Sequence, residues 1–150
     1  MMIRVTRMLA GAAGSLALLA LAQPALAQRD DGTPEIYYPF TSLEGAQETA
    51  GGADEGYGDF SAEIDPAKGT LCYMLAVGDV EMTAAHIHQG KAGEDGPPVA
   101  TLEDTGPDDK ACLELDAELL RKIGSKPQNY YVNVHTADYP KGAIRGQLED

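Results

Sequence analysis

All three histidines of the chain lie in two short stretches whose residue pattern is typical of β-strands. His86 and His88 are two residues apart, so on a strand both rings point to one face, about 6–7 Å apart at the backbone. His135 lies near the end of a later predicted strand. Imidazoles at this spacing can bind one metal ion at about 2 Å each. The sequence therefore predicts a metal site at these three residues, although the same spacing also arises by chance in metal-free strands.

A three-histidine site suits copper or zinc. Nitrogen-rich sites bind Cu(II) more tightly than Zn(II), and an exported site meets little competition from reducing thiols. We therefore expect copper, with zinc as the alternative. The sequence identifies no fourth ligand, and water, an acidic side chain or Glu48 could serve. Because an imidazole must be neutral to bind and its reference pKa is about 6.5, we expect the metal to be released below about pH 6.

Four polar residues are candidates for supporting this site. Asn133 and Thr136 flank His135 and could orient its second ring nitrogen, or they could pair with the backbone at a strand end. Arg145 could attract an anion to the metal. Alternatively, its planar fork could bind a carboxylate such as that of Glu44 or Glu48 and join the last strand to the first, which is the role we favour.

The elements that must position these residues are mostly short β-strands. Segments with alternating apolar residues are separated by Gly and Pro, which is typical of an antiparallel all-β sandwich or barrel. One short helix is predicted over 116–123, with a capping aspartate at its start and Gly124 at its end. Alternation also places one of Tyr130 and Tyr131 in the core and the other on the surface. The predicted strands are 36–47 (or two strands with a break near Pro39), 57–64, 70–77, 83–89, 99–102, 111–115, 130–136 and 143–148.

The first 27 residues have the features of a secretory signal peptide. Arg4 and Arg7 precede an apolar run over 8–21. This run is short for a membrane span, which needs about 20 apolar residues. We expect cleavage after Ala27, no membrane span in the mature chain, and a periplasmic or secreted location. A flexible leader is expected over 28–35, followed by one domain over 36–150.

The cysteine content agrees with export. Cys72 and Cys112 are the only two cysteines in the chain. In an exported protein such a pair predicts one disulfide. Two thiolate metal ligands are the competing interpretation, which the wide spacing disfavours.

The charge of the chain restricts its partners. With 24 acidic residues against 11 Lys and Arg, the formal net charge is −13. This sign repels the phosphate backbone, so we do not expect nucleic acid as a partner.

Five sequence motifs point to one family. They are LEGAQE at 43–48, AAHIHQG at 84–90, GEDGP at 93–97, YYVNVHT at 130–136 and PKGAIRGQL at 140–148. On these motifs the chain resembles the CHRD domain, which was first named from chordin and is common in exported bacterial proteins, over about residues 38–149. The resemblance implies a compact sandwich and maps the histidines of the family onto His86, His88 and His135, but it implies no settled activity. We therefore expect an antiparallel, Greek-key-like β-sandwich of seven to eight strands with one short helix.

Three functional hypotheses follow. The favoured one is an exported protein that binds a metal ion, preferably copper, for buffering or delivery. The second is a metal-free adhesion or interaction module that forms a homo-oligomer or binds a protein partner. The third is a copper redox enzyme, because copper/zinc superoxide dismutases also place an H-x-H pair on a sandwich strand. That third activity needs an open coordination position, and the chain lacks the bridging histidine of those enzymes. No Ser-His-Asp motif supports hydrolysis, so whether the protein is an enzyme stays open, with a non-catalytic role favoured.

Overall fold

The computed structural model describes residues 35–150, which contain eight β-strands and one α-helix. The signal peptide predicted at 1–27, its cleavage after Ala27 and the leader up to residue 34 lie outside the described residues. Helix α1 spans Ala117–Ser125, and 3₁₀ turns lie at Gly45–Gln47 and Pro127–Asn129. The strands are β1 (Phe40–Glu44), β2 (Tyr57–Asp65), β3 (Thr70–Gly78), β4 (Met82–Gln89), β5 (Pro98–Leu102), β6 (Ala111–Glu114), β7 (Tyr130–Thr136) and β8 (Ile144–Gln147).

These strands form one antiparallel sheet in the order β5-β4-β7-β8-β1-β2-β3-β6. The prediction of an all-β fold with a single short helix is confirmed. A division into the two separate sheets of a sandwich is not confirmed, because hydrogen bonds connect each strand to the next. Within residues 35–150, no helix is long and apolar enough to cross a membrane.

The sheet curls, so its two ends lie close together. The segment after β5, at one edge, bonds to β3, which lies next to the opposite edge. The Thr105 N–H donates to the Leu75 carbonyl at 2.9 Å, and the Leu75 N–H donates to the Thr105 hydroxyl at 2.9 Å. The Glu103 N–H donates to the Tyr73 hydroxyl at 2.8 Å. The concave face thereby encloses the core.

The core is apolar because alternate strand residues point into the curled sheet. Helix α1 closes this core with Leu120 and Ile123, which are fully buried. The Asp116 carboxylate caps the helix by accepting hydrogen bonds from the backbone N–H groups of Glu118 and Leu119 at 2.9 and 3.1 Å. The helix ends at Ser125, two residues beyond the last residue of the predicted helix at 116–123. The strands supply the core residues Leu43, Phe60, Ala62, Ile64, Leu71, Tyr73, Leu75, Ala85, Ile87, Ala100, Leu102, Tyr130, Val132, Val134 and Ile144, and Leu148 follows β8.

Strand β7 is buried on both faces, which alternation does not predict. Tyr130 is 4% exposed on the core face, and Tyr131 is 2% exposed on the outer face, the face opposite the core. The prediction that one of the two tyrosines is exposed is therefore wrong. The 90–97 loop covers the outer face, and the Gln147 side-chain amide donates to the Gly90 carbonyl at 3.0 Å.

The predicted disulfide is confirmed. Cys72 on β3 and Cys112 on β6 are opposite partners in the sheet, with Cα atoms 4.0 Å apart. Because β6 is a four-residue edge strand that pairs only with β3 among the described strands, this bond attaches it covalently to the sheet.

Removal of the disulfide should lower the free energy of unfolding by about 4 kcal/mol. The bond closes a loop with a sequence separation of 40, and its loss frees the unfolded chain. The test is urea denaturation of a Cys72→Ala/Cys112→Ala variant, followed by circular dichroism. Dithiothreitol should destabilise the wild type by a similar amount and leave the variant unchanged. Equal midpoints for the wild type and the variant would contradict this prediction.

Candidate metal centre

The three histidines meet on the outer face of the sheet because β4 and β7 are antiparallel neighbours. In their register Ala84 opposes His135 and His86 opposes Asn133. The centroid of the His86 ring lies 5.5 Å from that of His88 and 5.1 Å from that of His135. The centroids of His88 and His135 are 6.0 Å apart. One nitrogen from each ring lies within 4.8 Å of the others. The three rings could therefore share one ion, since imidazole nitrogens bind such an ion at about 2 Å each.

Four of the six ring nitrogens at this cluster are buried without hydrogen-bond partners. His86 Nδ1, His88 Nε2 and both ring nitrogens of His135 have no partner of ordinary geometry among the described residues. A buried polar group without a partner costs about 1–3 kcal/mol. A metal ion bound by the three rings would remove this cost for one nitrogen of each ring, so the donor set fits copper or zinc.

The orientation of His88 is defined by a backbone contact. Its Nδ1 lies 2.8 Å from the Gly96 carbonyl oxygen. Because a carbonyl oxygen only accepts, Nδ1 carries the hydrogen and Nε2 keeps a free electron pair. The Tyr131 ring stacks on this imidazole, with centroids 4.9 Å apart and ring planes 13° apart. His88 therefore presents Nε2 to the cluster.

Arg145 lies on the outer face of β8, beneath the loop that follows β4, and is 1% exposed. Its Nη2 donates to the carbonyls of Lys91 and Glu94 at 2.9 and 2.8 Å, and its Nη1 lies 3.4 Å from Asp95 Oδ1. The guanidinium carbon is 3.5 Å from the centroid of the Tyr131 ring. Arg145 thus joins the loop to the sheet, and its carboxylate contact is on that loop.

Glu48, Asn133 and Thr136 take different positions around the cluster. The Asn133 side-chain amide, opposite His86, donates to Glu48 Oε2 at 3.3 Å, while Glu48 Oε1 is buried without a partner. Glu48 is therefore near the cluster but is not one of the three residues whose ligand atoms converge. The Thr136 hydroxyl accepts from the Tyr139 N–H at 3.0 Å and so holds the turn after β7.

Burial controls the protonation of these groups. It raises the pKa of Glu48 to about 7, because the Asn133 hydrogen bond and the Arg145 charge only partly oppose it. Burial also lowers the pKa of His88 and of His135, and the positive charge of neighbouring imidazoles lowers both further. Backbone contacts partly offset these shifts, with Gly96 at His88 and with Pro140 at His135. Both rings are therefore neutral near pH 7, as metal binding requires.

Four residues near the site were not identified from the sequence. Tyr131 and Asp95 contact Arg145, and the Thr49 hydroxyl donates to Asp95 Oδ1 at 2.8 Å, which joins the 90–97 loop to the neighbouring loop. Gly96 lies so close to the Gln89 carbonyl that a Cβ would overlap it. The available signal was the GEDGP motif itself, which combines acidic residues with glycines directly after the histidine strand.

The chain was compared with known families, curated proteins and solved structures. A family model described as the CHRD domain matches residues 40–148, from the start of β1 to just beyond β8. The chain belongs to the CHRD family. The resemblance predicted from the sequence motifs is therefore confirmed, and the histidine cluster lies within the matched part of this CHRD domain. No curated protein and no solved structure matches the chain.

A Glu48→Gln variant of the metal-free CHRD domain should gain stability relative to wild type as pH rises from about 4.5 to about 7. The folded state binds the Glu48 proton more tightly than the unfolded state, where the pKa has its ordinary value of 4.5. Wild type therefore loses this stabilisation as pH rises through the window, whereas glutamine cannot ionise. We expect a gain of about 1–2 kcal/mol at pH of about 8, since solvent screens the half-buried carboxylate.

The measurement is urea denaturation of both proteins at both ends of this pH window. Glu44→Gln, which changes an exposed glutamate on β1, is the matched control. An equal difference between Glu48→Gln and wild type at low and high pH would show that the Glu48 charge has no role.

Proposed function

We propose that this CHRD domain binds one copper ion through His86, His88 and His135 and acts outside the cytoplasm in copper buffering or delivery. The main support is the set of buried ring nitrogens without hydrogen-bond partners. Three imidazoles from two adjacent strands meet there, and Glu48 Oε1 and Asn133 Oδ1 nearby are also buried without partners. A metal ion explains this arrangement better than packing alone, because packing leaves the nitrogens unsatisfied.

Copper is the proposed metal because of the donor set and the redox environment. Three imidazoles favour Cu(II) over Zn(II) in the affinity order of divalent metals. Both cysteines are joined in a disulfide, so they offer no thiolate to the ion. A disulfide also supports an oxidising compartment, where little thiol competes for copper. The net charge of −13 further favours cations near the surface.

Binding is proposed rather than turnover. A redox enzyme could use a cation to attract an anionic substrate to the metal, and Arg145 is the candidate from the sequence. It is buried, and two loop carbonyls accept its hydrogen bonds. A buried and paired guanidinium supports the fold around the metal and does not attract a diffusing anion to it.

Loss of two ligands should abolish tight copper binding. Isothermal titration of wild type with Cu(II) should give one ion per chain. A His86→Ala/His88→Ala variant should lose more than about 100-fold in Cu(II) affinity. Loss of an outer hydrogen-bond partner of a ligand already lowers metal affinity by about 10–100-fold, and loss of the ligands themselves should lower it further. Gln89→Ala, at an exposed position of the same strand, is the control and should bind like wild type. Equal affinity in the double variant would remove the proposal.

Copper should be released as the pH falls. Protons compete with the metal for the imidazoles, and burial keeps the pKa of His88 and of His135 below the ordinary 6.5. Occupancy should therefore persist at neutral pH and decline below about pH 6. Equilibrium dialysis across this range measures the retained copper, and circular dichroism at each pH reports whether the fold persists. Full occupancy at about pH 4.5 would contradict a histidine site.

A further inference from the structure

We propose that Arg145 is a positioning residue that determines which nitrogen of His88 faces the metal. It acts through the 90–97 loop and through Tyr131. The identity of the ligand as a metal rests on the function proposed above. The orientation of the ring, however, is a property of the metal-free fold, so it can be tested separately.

The first connection runs through the loop backbone. Arg145 Nη2 bonds to two carbonyls of the loop, those of Lys91 and Glu94. Two residues after Glu94, the Gly96 carbonyl accepts the hydrogen bond from His88 Nδ1 at 2.8 Å. Arg145 therefore anchors the segment that carries the acceptor for the histidine. Because the guanidinium is planar, it fixes two carbonyls at once, which a lysine ammonium cannot do with the same geometry.

The second connection runs through Tyr131. The ring of Tyr131 contacts the Arg145 guanidinium and also stacks on the His88 imidazole. The Tyr131 hydroxyl accepts from the Gly96 N–H at 3.1 Å. One tyrosine thus contacts the cation, the ligand ring and the residue that bonds the ligand ring. A shift of Arg145 is transmitted to His88 through both the stack and the loop.

The effect on metal binding follows from the tautomers of imidazole. A neutral ring carries its hydrogen on either nitrogen, and only the other nitrogen can bind a metal. The Gly96 carbonyl selects the tautomer with hydrogen on Nδ1, which leaves Nε2 for the ion. Loss of such an outer hydrogen bond typically lowers metal affinity by about 10–100-fold.

The experiment reads the tautomer directly in the metal-free protein. Long-range ¹H–¹⁵N spectra of protein labelled on histidine are recorded at pH of about 8, above the reference histidine pKa of about 6.5. The variants are Arg145→Lys, which keeps the charge, and Tyr131→Phe, which keeps the ring and loses the hydroxyl. Leu120→Ala, on the core side of helix α1, is a destabilised control. None of the contacts described above joins Leu120 to the 90–97 loop. Each protein is then titrated with Cu(II).

Wild type and Leu120→Ala should show a single His88 tautomer with hydrogen on Nδ1. Arg145→Lys and Tyr131→Phe should show mixed tautomers and about 10–100-fold weaker Cu(II) binding. The proposal is overturned if wild-type His88 carries its hydrogen on Nε2, or if Arg145→Lys folds and keeps the wild-type tautomer. If Arg145→Lys does not fold, a wild-type tautomer in Tyr131→Phe overturns the proposal, because the proposed route to His88 includes the bond between the Tyr131 hydroxyl and Gly96. A correct set of tautomers without copper binding by wild type would overturn the proposed function and leave the positioning role supported.

Discussion

The buried guanidinium of Arg145 determines how the 90–97 loop packs on the outer face of this sheet. A charged group that is removed from water is costly unless its N–H groups are paired, and Arg145 is 1% exposed. The backbone of the 90–97 loop supplies the carbonyls, and the Tyr131 ring supplies an aromatic face. The loop must therefore lie against the outer face of β7 and β8. As a result, the histidines lie beside a surface that a loop covers, and their side chains are partly buried, in contrast to histidines on an ordinary exposed strand.

Much of the fold follows from local pattern, as β7 and β3 show. The predicted strand 130–136 has the same bounds as β7, and β3 differs from its prediction by one residue. Alternation of apolar residues and flanking turn residues contain this information. The predicted segment 36–47 is too long as one strand, and the alternative with a break near Pro39 agrees better, because β1 begins at Phe40. The chain leaves β1 at Glu44 through a 3₁₀ turn, and Tyr37 pairs separately with Ile64. Short-range pattern does not resolve such a change within one apolar segment.

In the candidate site too, some features follow from local sequence and others depend on the topology of the sheet. Period-two spacing places His86 and His88 on one face, and this depends only on neighbouring residues. Their approach to His135 requires β4 and β7 to be adjacent, which sequence spacing alone does not determine. The burial of Tyr131 could not be predicted, because it depends on a loop residue, Gly96, that lies 35 residues away in the sequence. Contacts of this range arise from topology rather than from the residues beside them.

The ends of the sheet have a consequence for the behaviour of the chain at high concentration. An edge strand exposes unpaired backbone groups and can template the addition of a strand from another molecule. Here the edge strands β5 and β6 have only five and four residues, and β5 begins with Pro98, which has no N–H to donate. A second molecule finds few hydrogen bonds at either edge. The short edge strands thus disfavour the stacking of molecules into fibrils.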